Sequence, residues 1–420
     1  MIVFLFVPLI VGTPIAFALG FSSISVILVF MRPNQLIQLT SIVLNNGTSS
    51  TMLVVPMFVL MAEILIVSGI TKDIFDAAHK WLGRLPGGLG VAVIATCAGF
   101  ASVTGSSGAT VATIGSMSVP EMLKRNYSTR LSAGCVVTGG TLGFLIPPSM
   151  SLIVYGLITE VSIAKLFLAG VIPGIIVAIL LSLVIIGYAR VKPENAPKGD
   201  WVPLKEKYLA LIKALPVVML ALFIIVSLYT GIATPTESAA VGVMASIIIS
   251  LVMGRLTLNK LIESLIKSAK TTSMVLMLVF GGMTFAFVVG YLGIPEKIVE
   301  NIIDLNLSRW MVFILLIFIL IVLGCFIETI GMMLVTLPFM FPIINQLGFD
   351  PVWFGIIVTL TAEIGLISPP IGMNLFVLKA TVPDLQLTQI IAGSVPFILV
   401  LFVAIALFSI FPQLVTLLVQ

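Results

Sequence analysis

The sequence predicts an all-α, polytopic integral membrane fold made of two related halves. Three observations predict it. Hydrophobic residues make up 60% of the 420-residue chain and charged residues 9%, where a soluble domain carries about 25% charged residues. Mean hydropathy is +1.26, and the chain offers many runs of the roughly 20 mostly apolar residues that cross hydrocarbon. A Gly/double-Pro motif also recurs at a fixed spacing with reversed flanking charge.

The first apolar run starts at Met1 without a basic segment or a small-residue cleavage site, and is expected to stay as a helix rather than leave as a signal peptide. The 35 Gly and 23 Pro lie partly inside apolar runs, as membrane helices allow when neighbours satisfy the freed backbone groups. The net charge of +4 comes from basic residues grouped in short loops. These are orientation signals, with no nucleic acid partner implied. Cys97, Cys135 and Cys325 lack paired spacing, which argues against a disulfide framework or metal site. His79 is the single histidine, so multi-histidine sites and histidine relays are excluded, and it is expected near the interface.

A shift of 222 positions carries Gly143, Pro147 and Pro148 onto Gly365, Pro369 and Pro370, and also Pro120 onto Pro342 and Met61 onto Met283. Each copy is expected to hold four parts in one order. An apolar helix (50–70; 271–292) precedes a short amphipathic stretch (71–84; 294–305). An apolar segment interrupted by small or polar residues follows (91–120; 310–342). Last comes a helix interrupted by Gly and double Pro (131–159; 351–380). The interruptions read Ser102-Val-Thr104-Gly105-Ser106-Ser107-Gly108 and Gly324-Cys325-Phe-Ile-Glu328-Thr329-Ile-Gly331. Limbs of roughly 11–14 residues reach about 17–21 Å, past mid-bilayer but short of spanning. Two re-entrant helical hairpins are therefore expected, with irregular tips in protein or a wet cavity.

Charge agrees. Lys72, Lys80, Arg84, Lys124, Arg125 and Arg130 flank the first hairpin, whereas the second has Glu296, Glu300 and Asp304 with only Lys297 and Arg309. By the positive-inside rule the first hairpin opens to the cytoplasm and the second to the outside, and Arg190 to Lys213 and Arg255 to Lys270 fall inside. The N-terminus is then cytoplasmic and the C-terminus external; Arg32 is discordant. Opposed halves are the inverted-repeat signature of secondary transporters. Leu256 to Ala269 and Ile294 to Leu305, the latter with Ile298, Val299, Ile302 and Ile303 at helical spacing, read as helices lying in the interface. Val191 to Trp201 reads as the linker between halves.

Hydroxyls, carbonyls and half-helix ends at mid-depth suit hard cations and carboxylates. Ser102, Thr104, Ser106 and Ser107 carry hydroxyls, while Gly105 and Gly108 permit an open turn. Helix breaks at Thr138-Gly139-Gly140-Thr141 and Thr361-Ala-Glu363-Ile-Gly365 are expected to face the tips, giving one cation site per repeat. Small residues of this kind also pack membrane helices, so packing stands as the other reading. Glu328 and Glu363 in apolar segments point to a transport path, since charge at mid-bilayer costs at least about 2.5–3.5 kcal/mol. A hydrogen-bonded structural role stays open for both, and more so for Glu63 and Glu237.

At these residues the chain resembles the large membrane subunit, of the M or DctM type, of tripartite ATP-independent periplasmic (TRAP) transporters. Gly105 to Thr110, Gly143 to Pro148, Glu328 to Gly331 with Pro338, and Gly365 to Pro370 carry the resemblance, which covers essentially the whole chain. It implies Na⁺-driven import of a small carboxylate, such as a C4-dicarboxylate or sialic acid, by an elevator movement in the bacterial inner membrane. It implies a soluble periplasmic substrate-binding protein and a small Q-type membrane subunit. Because the chain starts directly on the large-subunit pattern, that subunit is expected as a separate polypeptide. Carried over by position, sodium candidates are Ser102, Ser106, Gly139 and Thr141 in the first repeat and Gly324, Cys325, Thr361 and Gly365 in the second. Substrate candidates are Thr104, Ser107, Pro148, Glu328, Thr329 and Pro370. Glu328 holds the repeat position of Ser106, so the two sites need not be chemically equal.

The expected division is scaffold over 1–85 and transport domain over 86–189, with hairpin 1 near 91–120. Linker, second scaffold half and interfacial arms follow over 190–308. The second transport repeat covers 309–420, with hairpin 2 near 310–343. Sodium is the only coupling ion expected, with no cofactor. Competing readings are a stand-alone anion carrier without a binding protein and a passive channel. An enzyme is disfavoured, since no Ser/His pair, HExxH or paired-Asp motif occurs.

Overall fold

A computed structural model describes residues 2–305 and 307–419. Met1, where the first apolar run begins, and the Ile303 side chain of the amphipathic pattern lie outside the described residues. All regular structure among the described residues is helical. The first half comprises α1 (Ile2–Ile10), α2 (Ile15–Phe30), α3 (Leu36–Gly47), α4 (Val54–Val67), α5 (Ile70–Leu82), α6 (Gly88–Thr104), α7 (Ser107–Lys124), α8 (Thr129–Leu145), α9 (Met150–Thr159) and α10 (Ile163–Val191). The second comprises α11 (Leu204–Tyr229), α12 (Pro235–Val252), α13 (Leu258–Tyr291), α14 (Ile294–Asp304), α15 (Arg309–Gly324), α16 (Thr329–Gln346), α17 (Pro351–Ile367), α18 (Met373–Thr381), α19 (Leu387–Ile410) and α20 (Gln413–Thr416). Among the described residues, eight helical stretches are long and apolar enough to cross a membrane.

The 222-residue register holds to the residue. It carries both ends of α7 onto those of α16 and both ends of α8 onto those of α17. It also carries α2 into α12 and α3 into the start of α13, so the repeat reaches further toward the N-terminus than the sequence motifs suggested. Side-chain caps explain why the helices start where they do. Ser128, Ser149 and Ser162 cap α8, α9 and α10; Ser308 and Asp350 cap α15 and α17, each accepting an N–H from the first turn. Glu237 closes a capping box with Thr234 at α12, a structural role.

Packing exchanges equivalent elements between the halves. α4 lies on α12 and α2 on α13, while α7 lies on α18 and α16 on α9. Each hairpin thus leans on the short helix that follows the double proline of the other repeat.

Three expectations need correction. The limbs α6, α7, α15 and α16 run 17, 18, 16 and 18 residues, about 24–27 Å, longer than expected though still under the about 30 Å of hydrocarbon. In α6 hydroxyls explain this. Ser102 donates to the Gly99 carbonyl and Thr104 to that of Phe100, so the helix keeps residues that looked like coil. Second, α8 and α17 pass unbroken through Thr138 to Thr141 and Thr361 to Gly365. The breaks lie at 146–149 and 368–372, around the double prolines, both of which carry a cis peptide. Third, the stretch up to Ala269 is no separate helix but the first part of the 34-residue α13.

Candidate functional site

The two hairpin tips and the two proline breaks meet in the interior. At tip 1, between α6 and α7, Gly105 has φ +57°, a backbone state that favours glycine. A Cβ there would lie 2.6 Å from the Pro148 carbonyl oxygen. The Gly105 carbonyl accepts the Met150 N–H at 3.2 Å. Tip 2 docks in the same way: the Cys325 carbonyl accepts the Gly372 N–H at 3.1 Å. Met150 and Gly372 each follow a double proline by two residues, so each tip is hydrogen-bonded to the break of its own repeat.

Glycines explain how the helices come so close. A Cβ on Gly139 would meet Cys97 Sγ at 2.9 Å, one on Gly143 the Ser106 carbonyl oxygen at 2.8 Å, and one on Gly365 the Gly324 carbonyl carbon at 2.6 Å. The two stretches expected as helix breaks are therefore contact faces of continuous helices. Gly108, expected to open the turn, is an ordinary helical residue of α7, where an added Cβ would meet nothing within 4 Å. Gly108→Ala is accordingly expected to stabilise the protein by about 0.4–1 kcal/mol, seen as a higher melting temperature of the purified protein.

The tips differ in their caps. Ser106 caps α7 weakly, its Oγ accepting the Ala109 N–H at 3.5 Å. At the equivalent position Glu328 caps α16, its Oε2 accepting the N–H groups of Ile330 at 3.1 Å and Gly331 at 3.3 Å. A carboxylate at a helix N-terminus is well placed against the dipole, which gives Glu328 a structural task beside any functional one. Thr104 and Thr110 lie 3.2 Å apart across tip 1.

Other candidates bond within their own helices: Thr141 donates to Thr138 O and Thr361 to Ile357 O. Pro148 is buried, whereas Pro370 is exposed. Three buried polar atoms of this region, Thr138 Oγ1, Thr329 Oγ1 and Glu363 Oε1, have no hydrogen-bond partner among the described residues. Buried oxygens rarely stay unpaired, and hydroxyl and carboxylate oxygens are donors that hard cations take.

Tip 1 is also tied to the other repeat. The Ser107 hydroxyl donates to Glu363 Oε2 at 3.3 Å and accepts from Asn374 Nδ2 at 2.7 Å. Asn374 escaped the sequence reading, although a lone amide four residues after the second double proline, in an apolar stretch, was a usable signal. His79 lies away from both tips on α5, stacked on Phe75. Burial, then the Arg125 charge, holds its imidazole below the ordinary value.

Known proteins give the arrangement a context. Residues 2–414 match the model of the family described as tripartite ATP-independent periplasmic transporter, DctM component. The chain is 36% identical over 396 residues to the C4-dicarboxylate TRAP transporter large permease protein DctM of Pseudomonas aeruginosa, covering 94% of this chain and 92% of that one. It is 31% identical to the sialic acid TRAP transporter large permease protein SiaM of Vibrio cholerae, covering 97% and 95%. In fold it is similar to the YdaH transporter of Alcanivorax borkumensis, with a TM-score of 0.65 at 16% identity over 91% of this chain and 90% of that one. These relatives are permeases, not enzymes. The chain belongs to the DctM family, the large permease component of tripartite ATP-independent periplasmic transporters.

Proposed function

We propose that this permease imports a small carboxylate into the cell by sodium-coupled secondary transport. The observation that carries the reading is the pair of docked hairpin tips, with the buried Thr329 hydroxyl at the start of α16 lacking a partner among the described residues. Hydroxyl and carbonyl oxygens at helix ends suit Na⁺, and the helix N-termini of α7 and α16 suit a carboxylate. The names of two relatives point to carboxylates, a C4-dicarboxylate in one and sialic acid in the other. Sodium is a coupling ion here and travels with the substrate. The ligands proposed are Ser102, Ser106, Gly139 and Thr141 in one site and Gly324, Cys325, Thr361 and Gly365 in the other.

In this reading the hairpins and proline breaks, residues 86–189 and 309–420, form a transport body. It slides as an elevator against a scaffold of residues 1–85 and 190–308. The N-terminus is cytoplasmic and the C-terminus periplasmic, by the charge of the loops. The word tripartite implies two partners. One is a periplasmic protein that delivers the substrate; the other is a smaller membrane subunit.

Uptake by vesicles holding the chain and both partners is expected to vanish without a Na⁺ gradient. Uptake that persists unchanged overturns sodium coupling, and full uptake without the periplasmic protein favours a stand-alone carrier. Ser106→Ala is expected to raise the Na⁺ concentration for half-maximal uptake about tenfold, the equivalent of about 1.4 kcal/mol for one lost ligand. Its loss as a cap costs about 1 kcal/mol of stability. An unaltered Na⁺ requirement removes Ser106 from the site.

A further inference from the structure

We infer that Glu363 and Asn374 are positioning residues that fix hairpin 1 through Ser107, so that hairpin 2 is the moving wall of the site. Ser107 is the first residue of α7 and its hydroxyl is held from both sides. It donates to Glu363 on α17 and accepts from Asn374 on α18. Ser107 is 0% exposed, and Glu363 and Asn374 are each 1% exposed, so water does not compete for these bonds. Both partners belong to the second repeat, 256 and 267 positions away in sequence. The tie therefore joins the repeats across the interior.

The repeat register shows what hairpin 2 lacks. Thr329 stands where Ser107 stands, Thr141 where Glu363 stands, and Leu152 where Asn374 stands. Thr329 Oγ1 has no partner among the described residues. Thr141 spends its hydroxyl on its own helix, and Leu152 has no polar group to offer. Both tips keep the backbone bond to their own proline break; among the described residues, only tip 1 has side-chain hydrogen bonds from the other repeat.

Exposure follows the same asymmetry. Around tip 2, Phe326 is 56% exposed, and Ile371 and Met373 beside it are 43% and 39% exposed. At the repeat-equivalent positions of tip 1, Thr104 is half-buried and Ser149 and Ser151 are buried. Fewer buried contacts and a bare edge mark the element that opens at lower free energy.

Repeat-equivalent reporters test this without substrate or sodium. Val103 and Cys325 share one repeat position and are 3% and 6% exposed. Cys97 and Cys135 are replaced by Ala throughout. One protein keeps Cys325; the other carries V103C with C325S. Both are alkylated by a small maleimide, after purification into nanodiscs and with the partner subunit where it co-purifies. Cys325 is expected to react faster than V103C by about thirtyfold, the factor that two hydrogen bonds of about 1 kcal/mol net each supply. E363A or N374A is expected to raise the V103C rate toward that of Cys325 and to leave Cys325 itself unchanged. E363Q, whose amide oxygen still accepts the Ser107 hydroxyl, is expected to keep V103C slow.

Equal rates for the two reporters overturn the inference, as does a V103C rate indifferent to both E363A and N374A. A rise at both reporters together means general loosening and also overturns it. The inference rests on the tips being the transport site for its meaning. A failed sodium assay leaves the labelling result untouched, and a failed labelling result leaves sodium coupling untouched.

Discussion

Gly365→Ala is expected to lower the stability of the purified protein by about 2–3 kcal/mol and to abolish most uptake. The added methyl would lie 2.6 Å from both Cα and the carbonyl carbon of Gly324. These are backbone atoms at the end of α15, with no flexible side chain to swing aside. Overpacking of this kind costs about 1–3 kcal/mol. Moving α15 away also strains the Cys325–Gly372 hydrogen bond that seats tip 2, worth about 1 kcal/mol net. The melting temperature in detergent and the initial rate of uptake in vesicles check both halves of the claim. Gly108→Ala is the matched control, a glycine at the other tip with open space around it. If both alanine variants melt and transport alike, close backbone approach at tip 2 is not what the glycine provides.

Arg255→Ala is expected to cost about 2 kcal/mol, less than the about 3–5 kcal/mol of a fully buried pair. Arg255, in the loop between α12 and α13, binds Asp73 of α5 with both Nη atoms, one of them at 3.2 Å. The Asp73 side chain is 8% exposed and that of Arg255 31%. Removing the arginine strands a buried carboxylate, while the partial exposure of the pair lets water and salt take up some of the loss. The double variant Asp73→Leu/Arg255→Met is expected to recover most of the stability, since no charge is then left unpaired. α5 packs on α6, the first limb of hairpin 1, so uptake is expected to fall with Arg255→Ala and return in the double variant. Equal melting temperatures for Arg255→Ala and the wild type would show that the pair does not hold α5.

The double prolines made the repeat legible, because proline and glycine leave marks that survive when the rest of an apolar sequence drifts. The register they set paired the two interrupted segments that fold as hairpins, and apolar residues at helical spacing marked α14. Gly139 and Gly140 misled for an equally physical reason. In water a Gly pair weakens a helix, but between membrane helices it lets backbones touch, and sequence does not say which setting applies. Hydroxyls at Ser102 and Thr104 misled likewise, since they bond to carbonyls one turn back and keep the helix going. The tie from Ser107 to Glu363 and Asn374 was beyond reach, because no local pattern announces a contact between residues more than 250 positions apart.

α13 has a mechanical meaning of its own. Its 34 residues form one helix, about 51 Å long, against about 30 Å of hydrocarbon. The charged, amphipathic end from Leu258 to Lys270 and the apolar end to Tyr291 thus belong to a single rod. Such a rod cannot change its tilt in the bilayer without also changing how deeply its amphipathic end is immersed. A thickness mismatch that such a rod met by tilting would therefore reach the helix on which α2, α4 and α16 all rest. Bilayer thickness would then bear on the packing of the scaffold at a distance from the tips.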